Sequence, residues 1–198
     1  MYEYTDILYN ITMKINPHIK QALTSSCGTP GTNTCYCVGV KPRLIIGLGN
    51  PGKQYKNTYH NIGNLFIEYL TKKSYPAFNL MKSDVFMNQS GLLVAKALKK
   101  SGVKPDQILI IHDDSDIELG KYKVSFARGS AGHRGIDSII KSLGTKNFWR
   151  LRIGIGKKMR VENRELGGKI KAADLVLKKI SKKDREILQK TFSTIQLT

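Results

Sequence analysis

The residues best suited to chemistry are a histidine and an aspartate far apart in the chain, His60 and Asp113. A histidine can take a proton from water near neutral pH when another group fixes its tautomer and stabilises the imidazolium that forms. His60 ends a glycine-rich loop and opens a helical pattern with Asn61, and Asp113 follows an apolar run that reads as a strand. Both have bland alternatives. A lone histidine is more often a surface or core residue than a base, and Asp113, Asp114 and Asp116 could form a solvated turn or hold magnesium. Asn50 and Asn88 offer amides that donate and accept, suited to gripping a peptide-like group or to holding a water and a carbonyl in register. Their alternative role is turn formation. No cysteine lies near His60, and neither Ser90 nor Ser130 sits in a G-x-S-x-G elbow. Chemistry without a nucleophile points to activated water.

These residues fall in four polar clusters: Gly47 to Gly52, Phe86 to Gly91, His112 to Asp116, and Gly129 to Gly135. The first matches G-x-G-x-x-G, which could bind a dinucleotide. Against that, Pro51 removes a donor from the cradle, and the candidate ribose acid, Glu68, falls inside a helical pattern. The clusters need a scaffold. Leu44–Ile46 and Gln107–Ile111 read as buried strands, Ser83–Phe86 as a short strand, and Lys121–Phe126 and Arg150–Ile155 as alternating strands. Asn61–Lys72, Ser90–Ser101 and Gly135–Leu143 carry apolar residues at helical spacing. Ser181 with Asp184 marks the start of a last helix. Strands alternating with helices predict a single α/β domain, mostly parallel at its centre. Ligands in such sheets bind beyond the carboxyl ends of the strands, where three of the clusters fall.

Charge narrows the partners. The 198 residues carry 33 basic and 15 acidic side chains, a net +18, which favours a polyanion and nucleic acid first. Residues 1–42 hold only +1 of this, so the polyanion-binding character belongs to 43–198. The first 42 residues read as a weakly structured extension with a Ser/Thr/Gly/Pro-rich linker, and as neither a secretory signal nor a good transit peptide. Their three thiols, Cys27, Cys35 and Cys37, match no usual zinc ribbon and suit a reducing compartment. No run approaches about 18 continuous apolar residues, so no membrane span is expected.

Taken in order, the clusters resemble the bacterial-type peptidyl-tRNA hydrolases. The resemblance rests on Leu44 to Gly52, then Tyr55, Thr58, His60, Asn61 and Gly63; on Phe86 to Gly91 and His112 to Asp116; and on Gly132, His133, Gly135 and Phe148 to Gly156. It covers about residues 43–190. It implies a twisted mixed sheet with a parallel centre flanked by helices, a monomer, no cofactor, and hydrolysis of the ester joining peptide to tRNA. By resemblance His60 is the base, Asp113 orients it, and Asn50 and Asn88 bind the peptide end, with Asn50 helping to tell blocked from free aminoacyl groups. Tyr55, Phe86 and Met87 would line the cleft, His133 would contact substrate, and Lys123 and Arg152 would meet tRNA phosphates. A cytoplasmic setting is the default, with mitochondrion or plastid open. The alternative is an inactive RNA-binding relative, since some plastid members are splicing partners.

Four departures stand out. Arg134 replaces an expected Asn, exchanging an amide that reads substrate for a fixed cation that could take a phosphate. Tyr59 replaces an expected Arg beside the base. Asn88 follows His60 by only 28 positions, as if about 20 residues, one β-hairpin, were missing. The chain also ends after one basic helix, so part of a lid over the cleft is expected to be absent.

Overall fold

The computed structural model describes residues 42–73, 79–161, 164–169, 175–195 and 197. The expected extension, apart from residue 42, and all three cysteines lie outside them. Lys41–Ile195 form one compact unit. Strand β1 (Leu44–Gly47) pairs in parallel with β2 (Asn79–Lys82) on one side and with the central strand β3 (Ile108–Glu118) on the other. Strand β5 (Trp149–Gly156) continues in parallel from β3, and β4 (Tyr122–Phe126) closes the edge antiparallel to β5. The order is β2-β1-β3-β5-β4. Helices cover both faces, which is why β1 and the first half of β3 are continuous apolar runs.

Helix α1 (Ile62–Lys72) packs on β1 and β3 and buries Ile62, Phe66, Ile67 and Leu70. It approaches closely because Gly63 has no side chain there: a Cβ would strike the Ile111 carbonyl oxygen and the backbone of Leu48. Helices α2 (Ser90–Ser101) and α3 (Arg134–Leu143) supply Val94, Leu98, Ile136 and Ile139 to a cluster with Leu44, Ile46, Ile108, Ile110 and Phe148. Helix α4 (Lys182–Thr194) begins at Ser181, whose hydroxyl accepts the Asp184 N–H as expected, and sets Phe192 edge-on to Phe66 at 5.0 Å. A separate antiparallel hairpin, β6 (Lys158–Val161) and β7 (Arg164–Lys169), follows β5 and was not legible in the sequence.

Two expectations need correction. The short strand is at 79–82, not Ser83–Phe86. Ser83 is the last tie to β1: its N–H is shared between the Gly47 carbonyl (2.9 Å) and Asn64 Oδ1 (3.0 Å), and Asn64 Nδ2 takes its carbonyl (2.8 Å), so the ladder ends there. Strand β3 does not stop at Ile111 but runs through His112 to Glu118, so Asp113 sits within a strand, opposite Ile153 of β5.

Candidate active site

The loop after β1 delivers Asn50. Its backbone is clamped from both sides by Asn61: the Asn50 N–H donates to Asn61 Oδ1 at 2.8 Å, and Asn61 Nδ2 donates to the Asn50 carbonyl at 2.9 Å. The Asn50 side-chain oxygen is fixed by the Met87 N–H at 3.0 Å. That hydrogen bond decides the orientation of the amide and leaves its NH2 end for a ligand.

His60 lies on a single-turn 3-10 helix, Tyr59–Asn61, directly before α1. Its Nδ1 is 2.8 Å from Asp113 Oδ1. A carboxylate only accepts, so Nδ1 carries the proton and Nε2 keeps the lone pair of a base. A second imidazole reaches the same oxygen: His133 Nε2 is 3.1 Å from Asp113 Oδ1. His133 is also the N-cap of α3, its Nδ1 accepting the N–H groups of Gly135 (3.1 Å) and Ile136 (3.3 Å). With Nδ1 accepting, His133 is neutral and donates through Nε2. Burial alone would raise the pKa of Asp113, but the two imidazoles and their hydrogen bonds outweigh it and hold the carboxyl well below its usual range.

The three groups border a cleft of about 530 Å3. Asn50, Tyr55, Phe86 and Met87 line it together with His60 and Asp113, and so do Asn88, His133 and Arg134. Tyr55 and Phe86 meet edge to face, 6.2 Å apart. Asn88 is exposed on a second 3-10 turn, Met87–Gln89, its carbonyl accepting from Ser138 Oγ at 2.8 Å. Arg134 is exposed at the first turn of α3. Lys123 and Arg152 do not line the cleft; they face each other across the β4–β5 ladder. Arg152 Nε donates to Asp114 Oδ2 at 2.7 Å, and Asp114 Oδ1 accepts the Asp116 N–H at 2.9 Å. Glu68 pairs with Lys82 from within α1 at 3.1 Å, so it is not a ribose-binding acid at the end of a strand.

A family model described as peptidyl-tRNA hydrolase matches residues 44–79 and 74–197. The chain belongs to the peptidyl-tRNA hydrolase family. Its match divides between α1 and β2, where the spacing from His60 to Asn88 is short. Similar relatives include the peptidyl-tRNA hydrolase of Persephonella marina, 36% identical over 169 residues, which are 76% of this chain and 85% of that protein. That of Aquifex aeolicus is 38% identical over 140 residues, 61% of this chain and 73% of that one. The crystal structure of the peptidyl-tRNA hydrolase of Acinetobacter baumannii aligns with a TM-score of 0.63 at 28% identity, covering 82% of this chain and 86% of that one.

Two site-bordering residues of this peptidyl-tRNA hydrolase family member escaped sequence reasoning. His112 is buried next to Asp113, its Nδ1 donating to the Asp113 carbonyl at 2.7 Å and its ring edge-on to His133 at 4.7 Å. Burial, then the neighbouring His133, hold its pKa well below the usual histidine value. Arg150 is buried under the Gly129–Gly132 loop and ties it down with Nη1 to the Gly129 carbonyl at 2.8 Å. Burial, followed by repulsion from Arg152 and Arg128, lowers its pKa to about 10. Neither residue lies in a periodic pattern that marks a buried polar group.

The nitrogens and oxygen of His60, Asp113 and His133 lie within 4.8 Å of one another, a donor set that could hold a metal ion. The hydrogen bonds count against it. With Nδ1 of His133 accepting two amides, an ion on Nε2 would require an imidazolate, which the neutral ring does not supply.

Proposed function

We infer that this chain hydrolyses the ester between a peptide and the 3′ ribose oxygen of tRNA. The observation that carries the reading is the His60–Asp113 hydrogen bond of 2.8 Å at the cleft, with the donor end of Asn50 held beside it. His60 Nε2 takes a proton as water attacks the ester carbonyl, and Asp113 stabilises the imidazolium. The tetrahedral intermediate collapses with departure of the ribose oxygen, which receives that proton. The products are a free peptide acid and a tRNA with a 3′ hydroxyl. An ester has a good enough leaving group for this route without a covalent enzyme intermediate.

Asn50 Nδ2 is suited to a carbonyl of the peptide end, since its oxygen is already used by Met87. Tyr55, Phe86 and Met87 offer apolar walls for the acyl end and the last base. Arg134 offers a cation for a phosphate at the first turn of α3, where the N–H groups of Gly135 and Ile136 are already taken by His133. The positive charge carried by residues 43–198 suits a tRNA body, met through Lys123 and Arg152. Residues 1–42 are read as an N-terminal extension, and a monomer in the cytoplasm completes the reading. No helix among the described residues is long and apolar enough to cross a membrane.

The test compares an N-blocked aminoacyl-tRNA with its unblocked form, using wild type and His60→Ala. Release of tRNA from the blocked ester alone, lost in His60→Ala by about 10^2- to 10^4-fold, supports the mechanism. Salt-dependent tRNA binding with no release would defeat it and leave an RNA-binding relative.

A further inference from the structure

Tyr59 precedes the base, is buried, and reaches the start of α4 rather than the cleft. Its hydroxyl donates to Asp184 Oδ2 and accepts from Lys157 Nζ at 2.7 Å. Lys157 also donates to Asp184 Oδ2 at 2.6 Å, and its ammonium lies 4.9 Å from the Tyr59 ring centroid. Ser181 Oγ donates to the same carboxylate oxygen at 2.7 Å. One phenol therefore joins three distant pieces of chain: the turn that carries His60, the residue after β5, and the first turn of α4.

Residues 175–180 run back along that turn. The Ile180 N–H donates to the Asn57 carbonyl at 2.8 Å, the Tyr59 N–H donates to that of Lys178 at 3.3 Å, and Thr58 and Lys179 form an antiparallel bridge. Two residues of this strap, Val176 and Leu177, wall the cleft, and Leu177 is 54% exposed. A strap with so few main-chain bonds opens easily unless a stronger contact closes it. The Tyr59–Asp184–Lys157 cluster is that contact. Its members are charged or charge-assisted, and Tyr59 and Asp184 are buried while Lys157 is partly exposed, so the bond between phenol and carboxylate is the shielded one.

We propose that Tyr59 is a positioning residue whose hydroxyl latches the 175–180 strap, and with it the Val176–Leu177 wall, onto the turn bearing His60. The kinetic consequence rests on the hydrolase reading; the latch itself does not. A wall that touches substrate and transition state alike changes KM and leaves kcat alone.

The experiment uses the full chain with Tyr59→Phe, which keeps the ring and removes the hydroxyl. Backbone hydrogen exchange at Ile180 should speed up about tenfold, while Ile110 and Ile111 in β3 stay at the wild-type rate. KM for an N-acetylated aminoacyl-tRNA should rise about tenfold with kcat within about twofold. Asp184→Asn should give the same split, and the double variant should be no worse than either single one. Should Tyr59→Phe fail to fold, Asp184→Asn carries the test. Unchanged exchange at Ile180, equal acceleration in β3, or a fall in kcat at constant KM each overturn the proposal. A wild type that releases no tRNA defeats the hydrolase reading alone, and the exchange measurement still judges the latch.

Discussion

His133 donates its Nε2–H to Asp113 across 3.1 Å while its Nδ1 caps α3. The two jobs can be separated. Asparagine is a good N-cap, so His133→Asn should keep the helix start and lose the donor to Asp113. Its melting temperature should stay close to wild type. Its kcat should fall about 10- to 100-fold, the value of one hydrogen bond to a charged group. His133→Ala should lose the same activity and a further ~1 kcal/mol of stability. Equal melting temperatures for the two variants would remove the capping role.

The pH dependence of stability should show the buried His112. Its folded pKa is lowered, so the native ring stays neutral while the unfolded ring takes a proton below about 6.5. The unfolded chain then binds more protons, and stability falls as pH drops below that value. The slope approaches about 1.4 kcal/mol per pH unit for one proton. Asp113, also lowered, contributes above about 3.9 and loses that contribution only below it. Urea midpoints at pH 7, 6 and 5 should therefore fall in wild type and flatten in His112→Asn. Identical slopes would show that another group titrates.

Gly63→Ala should be among the most damaging single-methyl changes. The added carbon meets backbone on both sides, at Ile111 and Leu48, and neither can turn away. We expect a loss of at least about 1–3 kcal/mol, measured by denaturant unfolding. A variant within ~0.5 kcal/mol of wild type would mean that α1 can lift off the sheet cheaply.

Lys123→Ala should weaken tRNA binding and leave kcat on a saturating substrate unchanged. Lys123 is exposed and outside the cleft, and the role proposed for it is one phosphate contact. The slope of log affinity against log salt should shrink by about one. Arg152 is a poorer probe, since its Nε is already bound to Asp114.

What could be read from sequence divides by distance along the chain. The helices at 90–101 and 182–194 were legible because each depends on a few adjacent residues, a cap or a 3.6-residue period, whereas Asn50 and Asn88 stood out as amides in polar clusters and His133 only through the family resemblance. The Asp113 pairing was legible only as a chemical need, with no local sign of which histidine would meet it. That two rings would share one oxygen was hidden, because His60 and His133 lie 53 and 20 positions from Asp113. The partners of Tyr59 were hidden for the same reason, Asp184 being 125 positions away. The misplaced β2 has a different cause. Its four residues, exposed at both ends and half-buried between, show neither alternation nor a fully apolar run.

Strand β2 stands at the margin of the sheet with β1 as its partner there, and it joins α1 by a connection of fewer than ten residues. Every residue bordering the His60 cleft hangs instead from segments after β1 and β2, from β3, from the loop leading into α3 and its first residue, or from the 175–180 strap. The α1–β2 link supplies none of these residues, so a change of length there reaches the site only through the placement of β2 and the residues after it. For an engineer it is the natural port for inserting a reporter domain.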